Sequence, residues 1–265
     1  MPSVKTAAVI THGRAETEVA AALERVRRVA AESGVEIVVD DEEDGAPDVA
    51  IVLGGDGTML RALTRFLGTG VPVIGVNYGR VGFLTAIAAD GLEEGVRRVL
   101  AGEYRTFELS TLEVELAGVK RVAVNDVVVA GGVLGRMVEL GYAIGGEDLG
   151  EQPCDGLICA SPTGSTAYNL SNGGPVLVWG IDAMVLTFVA PHTLHIRPLV
   201  VPRGPEVLVT NRTHGVEAQV LADGHEVGPL PAGSSVTVRL AAERSLLATL
   251  PEVTFFTRYG ATFGR

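Results

Sequence analysis

The sequence predicts an α/β N-terminal domain with a parallel, doubly wound sheet, followed by a mainly antiparallel, β-sandwich-like C-terminal domain. Before Phe107, apolar strand-like runs alternate with helix-like runs, which is the pattern of a parallel sheet covered by helices. After Phe107, short β-like runs separated by glycines replace that alternation and indicate antiparallel pairing. An apolar content of 47% can fill the core of one large domain or two ordinary ones. We expect the two domains to cover residues 1–107 and 108–250.

The elements of the first domain follow from hydrophobic periodicity. Its strand-like runs are short and rich in β-branched residues, whereas its helix-like runs repeat apolar residues at helical spacing. Gly34 ends the first helix as a C-cap. The predicted strands are 4–10, 35–39, 49–53 and 71–76, and the predicted helices are 15–33, 59–67 and 92–100.

The second domain is predicted from apolar runs with the length of strands. One helical segment, residues 166–171, interrupts them and ends at Asn172-Gly173-Gly174-Pro175, which cannot extend a helix. Four aromatic residues in the tail 251–265 indicate that the tail packs against the protein. The predicted strands are 109–116, 121–129, 137–144, 185–189, 207–210, 217–221, 235–240 and 246–250.

Charge and composition exclude several classes of protein. A net charge of −11 argues against a general nucleic-acid binder, which would carry a basic face. The two lysines, Lys5 and Lys120, lie outside the glycine-rich loops, which excludes a Walker-type phosphate loop. No run reaches the roughly 20 apolar residues of a membrane span, and we see no secretory signal. With only two cysteines, Cys154 and Cys159, these features predict a cytoplasmic protein without a membrane partner.

A glycine-rich loop, Gly54-Gly55-Asp56-Gly57, joins the predicted strand 49–53 to the helix that follows it. Open α/β sheets bind ligands at such positions. Glycines can adopt backbone angles closed to other residues and let a ligand approach closely, and the N–H groups at a helix start suit phosphate. The carboxylate of Asp56, with little side-chain cover around it, could hold Mg²⁺ or accept a proton from an attacking hydroxyl. The alternative is a tight Asp-Gly turn.

The loop and several later stretches resemble one family. Gly54-Gly55-Asp56-Gly57-Thr58 is similar to the signature of NAD kinases, distant relatives of diacylglycerol kinases and phosphofructokinases. Further stretches follow the order of NAD kinase motifs, namely 77–84, Asn125-Asp126, 155–158, 161–171 with Gly173-Gly174-Pro175, and Asp223-Gly224. The resemblance implies transfer of the γ-phosphoryl group of ATP, or of another donor such as polyphosphate, to the 2′-hydroxyl of the adenosine ribose of NAD, giving NADP.

The resemblance also implies site residues and partners. Asp56 is the expected catalytic residue, which orients or deprotonates the 2′-hydroxyl. Asn125 and Asp126 are expected to hold the ribose, and Asp155 to lie near the nicotinamide end. The remaining expected contacts are Gly54, Gly55, Gly57, Thr58 and Arg80 for phosphate, and Thr163, Thr166, Ala167, Tyr168, Ser171 and Asp223 for NAD. Mg²⁺ or another divalent cation is expected to bind mainly through substrate phosphates, without a dedicated set of protein ligands. The family forms homodimers or homotetramers, and its chain end returns to the first domain.

Two alternative functions stay open at the level of the sequence. A diacylglycerol-type lipid kinase shares the Gly-Gly-Asp-Gly loop but does not need the 161–171 segment. A non-catalytic NAD-sensing module needs the NAD contacts but has no use for an acid beside phosphates, so Asp56 argues against it. Asp223-Gly224 has the simpler interpretation of a hairpin turn.

Overall fold

A computed structural model describes residues 4–11, 17–39, 46–79, 82–132, 136–193 and 195–264. Its helices are α1 Thr17–Ser33, α2 Asp56–Arg65, α3 Leu92–Leu100, α4 Tyr168–Ser171 and α5 Phe255–Phe263. Its strands are β1 Thr6–Thr11, β2 Glu36–Val39, β3 Val49–Gly54, β4 Pro72–Asn77, β5 Ile87–Ala88, β6 Arg105–Leu116, β7 Val119–Ala123, β8 Asp126–Gly131, β9 Val138–Ile144, β10 Glu147–Cys154, β11 Gly156–Ala160, β12 Ala183–Val189, β13 Leu199–Pro202, β14 Val207–Asn211, β15 Ala218–Ala222, β16 His225–Leu230 and β17 Ser235–Thr249. Within this described part, no helix is long and apolar enough to cross a membrane.

The chain divides into two compact units. The N-terminal unit consists of Met1–Glu108 and Ser245–Arg265, and the β unit consists of Leu109–Arg244. The sequence predicted domains at 1–107 and 108–250, with the tail 251–265 on the first of them.

The N-terminal unit contains the predicted parallel, doubly wound sheet. Strands β2, β1, β3 and β4 lie side by side and pair in parallel. Apolar residues of α1 and α3 share one core with alternate residues of β1, β3 and β4. Helix α2 packs on the opposite face, where the sulfur of Met59 leaves no room for a side chain at Gly75. Helices therefore cover both faces, and the predicted fold class of this unit is confirmed.

The β unit is a sandwich of antiparallel strands, as predicted. In one sheet β10, β9, β14 and β17 pair in that order, and β6 pairs with β17 and β7. The other sheet has the order β13-β12-β11-β8-β15-β16. Leu112 and Val209 from the first sheet pack in the same buried cluster as Leu157 and Met184 from the second. One core shared by two sheets is the arrangement of a β-sandwich.

Two predicted strand boundaries were wrong. The run 121–129 is two strands, because a turn at Val124 and Asn125 separates β7 from β8. Conversely, the runs 235–240 and 246–250 belong to the single strand β17. Polar residues in the middle of that strand broke the apolar pattern. There the main-chain carbonyl of Glu243 accepts a hydrogen bond from the hydroxyl of Thr111, and Arg244 pairs with Asp182 at 3.0 Å.

Candidate active site

The glycine loop lies at the carboxyl end of β3 and at the start of α2, which begins at Asp56 with Gly55 as its N-cap. No side chain caps this helix start, and the Gly55 carbonyl accepts the N–H groups of Thr58 and Met59 at 3.0 Å. Among the described residues, the N–H groups of Asp56 and Gly57 are therefore the ones open to a ligand. Gly54, Gly55 and Gly57 all avoid positive φ, so the backbone angles that only glycine adopts readily are not used here. Space is the reason for glycine instead: a Cβ at Gly54 would lie 2.5 Å from Oγ1 of Thr58, while Gly57 faces open space.

The carboxylate of Asp56 is held by the main chain of the loop after β4. Its Oδ2 accepts a hydrogen bond from the N–H of Phe83 at 2.7 Å, and its Oδ1 accepts one from Leu84 at 3.0 Å. Gly82 must be glycine, because a Cβ there would lie 2.4 Å from Oδ1. The groups that hold Asp56 are therefore main-chain N–H groups, which the sequence did not predict. Each oxygen of a carboxylate has two acceptor positions, so a proton or a cation can still be bound.

The loop that follows β4 packs directly on the glycine loop. The N–H of Tyr78 donates to the carbonyl of Gly54 at 3.0 Å. A Cβ at Gly79 would lie only 3.2 Å from the Cα of Gly55, so the two backbones touch. Asn77 orders this loop by accepting a hydrogen bond from the Gly79 N–H at 3.0 Å. Arg80, the predicted phosphate contact, lies outside the described residues.

In the β unit, Asp223 organises the turn that carries Asn125 and Asp126. Its Oδ1 accepts hydrogen bonds from the N–H groups of Asn125 and Asp126 at 2.7 and 3.1 Å, and its Oδ2 accepts one from Val124 at 2.7 Å. Asp223 adopts a φ of 49°, in the left-handed region, which short polar side chains tolerate best after glycine. The sequence did not reveal this clamp, since it joins residues about a hundred positions apart.

The Asp126 carboxylate is buried, with 8% of the residue exposed. Burial, and secondly the charge of Asp223, raise its pKa to about 6. Burial also raises the pKa of Asp223, although its three N–H donors oppose that change. Two carboxylates buried in one site lower the stability of the folded protein. Such an arrangement is typical of residues that serve a function rather than the fold.

The segment 161–171 packs against the same turn. The hydroxyl of Ser161 donates to the Val124 carbonyl at 2.5 Å and accepts the N–H of Gly164 at 3.1 Å. Gly164 has no room for a side chain, because a Cβ would lie 2.0 Å from the carbonyl oxygen of Asn125. The segment and the Asn125 turn therefore form one rigid structure.

Hydroxyl groups of this segment divide into two sets. Ser165 bridges the carbonyl of Pro162 and the N–H of Leu177, and Thr166 donates to the carbonyl of Thr163. Neither acts as an N-cap, and no side chain caps α4 or the turn before it. In contrast, Oγ1 of Thr163 is buried without a partner among the described residues, and so is Oδ1 of Asn125. Buried polar atoms rarely stay unsatisfied, so these two indicate a missing ligand.

Asn169, which the sequence did not single out, fixes the segment 161–171 through hydrogen bonds of its side-chain amide. Its Nδ2 donates to the carbonyls of Ser165 and Pro175, and its Oδ1 accepts a hydrogen bond from the Thr187 hydroxyl at 2.6 Å. This buried amide is fully satisfied by the fold, as expected for a residue that shapes the site without contacting a ligand.

The other predicted NAD contacts differ in their positions. Thr166 and Ala167 are partly buried beside the Asn125 turn, and Tyr168 and Ser171 are exposed on α4, Tyr168 at 45%. Asp155 is exposed and precedes β11, whose other end, Ala160, pairs with Asp126. The five residues of β11 span about 17 Å, so the structure does not bring Asp155 to the other predicted contacts.

Comparisons with known proteins identify the family of this chain. Residues 9–104 match the ATP-NAD kinase N-terminal domain, and residues 124–249 match the ATP-NAD kinase C-terminal domain. The chain is 40% identical over 222 residues to an NAD kinase of Gemmatimonas aurantiaca, which covers 82% of this chain and 77% of the relative. The resemblance drawn from the sequence motifs is thereby confirmed.

Solved structures show the same fold at lower sequence identity. A yeast NADH kinase complexed with NADH has a TM-score of 0.86 at 20% identity, covering 100% of this chain and 89% of that one. An NAD kinase from Archaeoglobus fulgidus in complex with ATP has a TM-score of 0.79 at 24% identity, covering 98% and 97%. These two likenesses support the fold of both units.

Proposed function

Because the chain belongs to the NAD kinase family, we propose that it transfers the γ-phosphoryl group of ATP to the 2′-hydroxyl of the adenosine ribose of NAD. The observation that carries this proposal is the pair of unsatisfied buried atoms, Oδ1 of Asn125 and Oγ1 of Thr163. An amide oxygen and a hydroxyl, next to the Asp126 carboxylate, match adjacent ribose hydroxyls, which both donate and accept hydrogen bonds. Thr166, Ala167, Tyr168 and Ser171 extend this surface for the rest of NAD.

On the donor side, the glycine loop supplies backbone N–H groups and the positive end of the α2 dipole. Gly57 faces open space, so a phosphate oxygen can approach the main chain there. Gly54 and Thr58 act by packing against each other, which leaves Gly55 and Gly57 as the residues that face the donor. Arg80 remains a proposed phosphate contact on the basis of its place after β4.

Asp56 takes the proton in this proposal. The ribose 2′-oxygen attacks the γ-phosphorus, the bond between that phosphorus and the β,γ-bridging oxygen breaks, and the hydroxyl proton passes to the carboxylate. The N–H groups of Phe83 and Leu84 fix the carboxylate in one orientation, so the geometry does not have to be assembled during the reaction.

A divalent cation fits this site only as a companion of the donor phosphates. Among the described residues, no group of three His, Cys, Asp or Glu side chains could hold a metal ion. Mg²⁺ commonly binds through one or two carboxylates together with substrate phosphates, so Asp56 is the protein group available to it. When bound, the cation neutralises charge on the phosphate oxygens.

The test is NADP formation from NAD, ATP and Mg²⁺ by the purified chain. We expect NADP to form, activity to vanish in excess EDTA, and added Mg²⁺ to restore it. Substituting polyphosphate for ATP, and NADH for NAD, in the same assay defines the donor and acceptor range. Phosphorylation of diacylglycerol in place of NAD would favour the lipid kinase, and NAD binding without turnover with any donor would favour the sensor.

Three further expectations belong to this proposal. The domain boundaries 1–107 and 108–250 divide donor binding from NAD binding, with Asp223 shaping the NAD site and Asp155 serving the nicotinamide end. A homodimer or homotetramer is expected, which light scattering measures directly. A cytoplasmic location is expected, and the two buried free thiols agree with a reducing compartment.

A further inference from the structure

A cavity of about 260 Å³ opens in the N-terminal unit beside the loop that follows β4. It is lined by Asn77 at the end of β4, by Thr85 and β5, and by Thr257 and Arg258 of α5. Pockets for whole small molecules usually measure about 300–1,000 Å³. The cavity is therefore suited to part of a ligand, such as a phosphate group, rather than to a complete nucleotide.

Arg258 is a partly buried cation that has no ion-pair partner within hydrogen-bond distance among the described residues. Its guanidinium forms no hydrogen bond or ion pair with the described residues. Burial lowers the pKa of Arg258, and the negative charge of Asp56 opposes that change. By contrast, four other arginines of this unit each form an ion pair with a glutamate, namely Arg25, Arg28, Arg97 and Arg98. A desolvated charge without a partner is unfavourable unless an anion binds there.

Thr85 provides a second, independent indication at the same cavity. The residue is fully buried, at 0% exposure, and its hydroxyl has no hydrogen-bond partner in the part of the chain that the structure describes. A valine of nearly the same shape would avoid the cost of an unsatisfied hydroxyl. A hydroxyl and a guanidinium around one cavity are both donors toward phosphate oxygens.

The helix that carries Arg258 is fixed to the loop that holds Asp56. Thr254 and Thr257 form a capping box at the start of α5. The ring of Phe255 packs edge-on against Phe83 with centroids 5.3 Å apart, and the N–H of Phe83 bonds to Asp56. Arg258 therefore has a defined position relative to the proposed catalytic carboxylate, within the same unit.

We propose that this cavity binds a phosphate group of the phosphoryl donor, with Arg258 and the hydroxyl of Thr85 as its donors. The inference rests on the proposed function and adds to it a second cationic contact, besides Arg80, that the glycine loop does not supply. Such a site would also explain how a chain with a net charge of −11, and with no lysine in its glycine-rich loops, attracts a polyanion.

The experiment measures donor binding in the absence of NAD. Mg·ATP and, separately, inorganic tripolyphosphate are titrated calorimetrically into the full-length wild type, Arg258→Gln, Thr85→Val and the control Arg97→Gln, which removes an exposed arginine of the same unit. Loss of a hydrogen bond to a charged group predicts about 10- to 100-fold weaker binding of both probes to Arg258→Gln. A neutral hydroxyl predicts about a 2- to 10-fold loss for Thr85→Val. Arg97→Gln should match the wild type, and the KM for NAD should not change in any variant.

Each outcome decides the matter. Unchanged affinity of Arg258→Gln for both probes overturns the proposal, as does a loss confined to ATP, which would indicate a nucleoside contact. If Arg258→Gln does not fold, Arg258→Lys replaces it: lysine keeps the charge but not the planar fork, so tripolyphosphate binding should still weaken severalfold. Wild-type affinity in both Arg258→Lys and Thr85→Val would then refute the site. These titrations do not depend on turnover, so failure of the wild type to make NADP refutes the kinase activity without affecting this test.

Discussion

Replacement of Asp126 by asparagine should stabilise the protein at neutral pH while it damages NAD binding. The carboxyl group has an ordinary pKa of 3.8, and burial raises it to about 6 in the folded protein. The folded state therefore binds this proton more tightly than the unfolded state does. Stability consequently rises as the pH falls through about 6 toward 4, and the ionised carboxylate is destabilising above pH 7. The difference between the two pKa values corresponds to roughly 3 kcal/mol.

The assay is urea denaturation of wild type and Asp126→Asn at pH 7.5 and at pH 4.5. We expect the variant to be more stable by about 1–4 kcal/mol at pH 7.5, with a clearly smaller advantage at pH 4.5, where the wild-type carboxyl is already protonated. The comparison between the two proteins cancels the titrating groups that do not interact with Asp126. Asp223→Asn is the contrasting variant, because it removes an acceptor of three N–H groups and should destabilise at both pH values.

NAD binding supplies the other half of this prediction. An asparagine cannot offer the charged acceptor, so the affinity for NAD should fall by about 10- to 100-fold. In the wild type, the KM for NAD should rise as the pH drops below about 6. A variant that is less stable than wild type at pH 7.5, or that binds NAD equally well, would refute the assignment of Asp126 as a functional acid kept at a cost to stability.

Four further predictions follow from the geometry. Asp56→Asn should lower kcat by at least about 100-fold and, since one of two N–H bonds is lost, stability by about 1–2 kcal/mol; a folded variant that keeps most of its kcat would leave Asp56 as a turn residue. Asn125→Ala should lower kcat/KM for NAD by about 10-fold or more, and unchanged kinetics would remove it from the site. Gly164→Ala should abolish NAD binding, because a Cβ meets the Asn125 carbonyl oxygen at 2.0 Å; wild-type affinity in calorimetry would contradict this packing. Cys154 and Cys159, whose pKa values burial raises to about 12, should resist thiol reagents until urea unfolds the chain, and rapid labelling of the native protein would contradict their burial.

The strands that sequence patterns missed have a common physical property. Strands β10, β13 and β16 lie at sheet edges in the described topology, so one side of each has no partner strand. The sequence of β10, Glu147–Cys154, is largely polar and exposed. Natural edge strands are often polar in order to resist aggregation, which removes the alternating apolar signal. Central strands such as β3 are buried throughout and were predicted within one residue.

The sequence predicted those parts of the candidate site whose residues are adjacent in the chain. It did not predict the parts that depend on contacts between residues distant in sequence. The strand–glycine loop–helix unit around Asp56 could be predicted from the single stretch 49–67, because the glycines, the acid and the helix start are adjacent. The Asp223 clamp and the fully satisfied amide of Asn169 could not, since their partners are distant in sequence. The same limit applies to Arg258, whose significance depends on a cavity formed with Thr85.

The N-terminal unit is assembled from two separate stretches of chain, and this has a consequence for biosynthesis. Leu246 and Leu247 pair with Pro72 and Val73 beside β4, and α5 packs on Phe83. A ribosome therefore completes the β unit before it has made the last strand partner and the last helix of the N-terminal unit. The segment 49–84 therefore keeps apolar surface exposed until its packing partners, which lie about 160 residues later in the chain, have been synthesised. Nascent chains should consequently acquire the Asp56 site last, and truncation before Ser245 should yield a chain that depends on chaperones rather than a smaller folded domain.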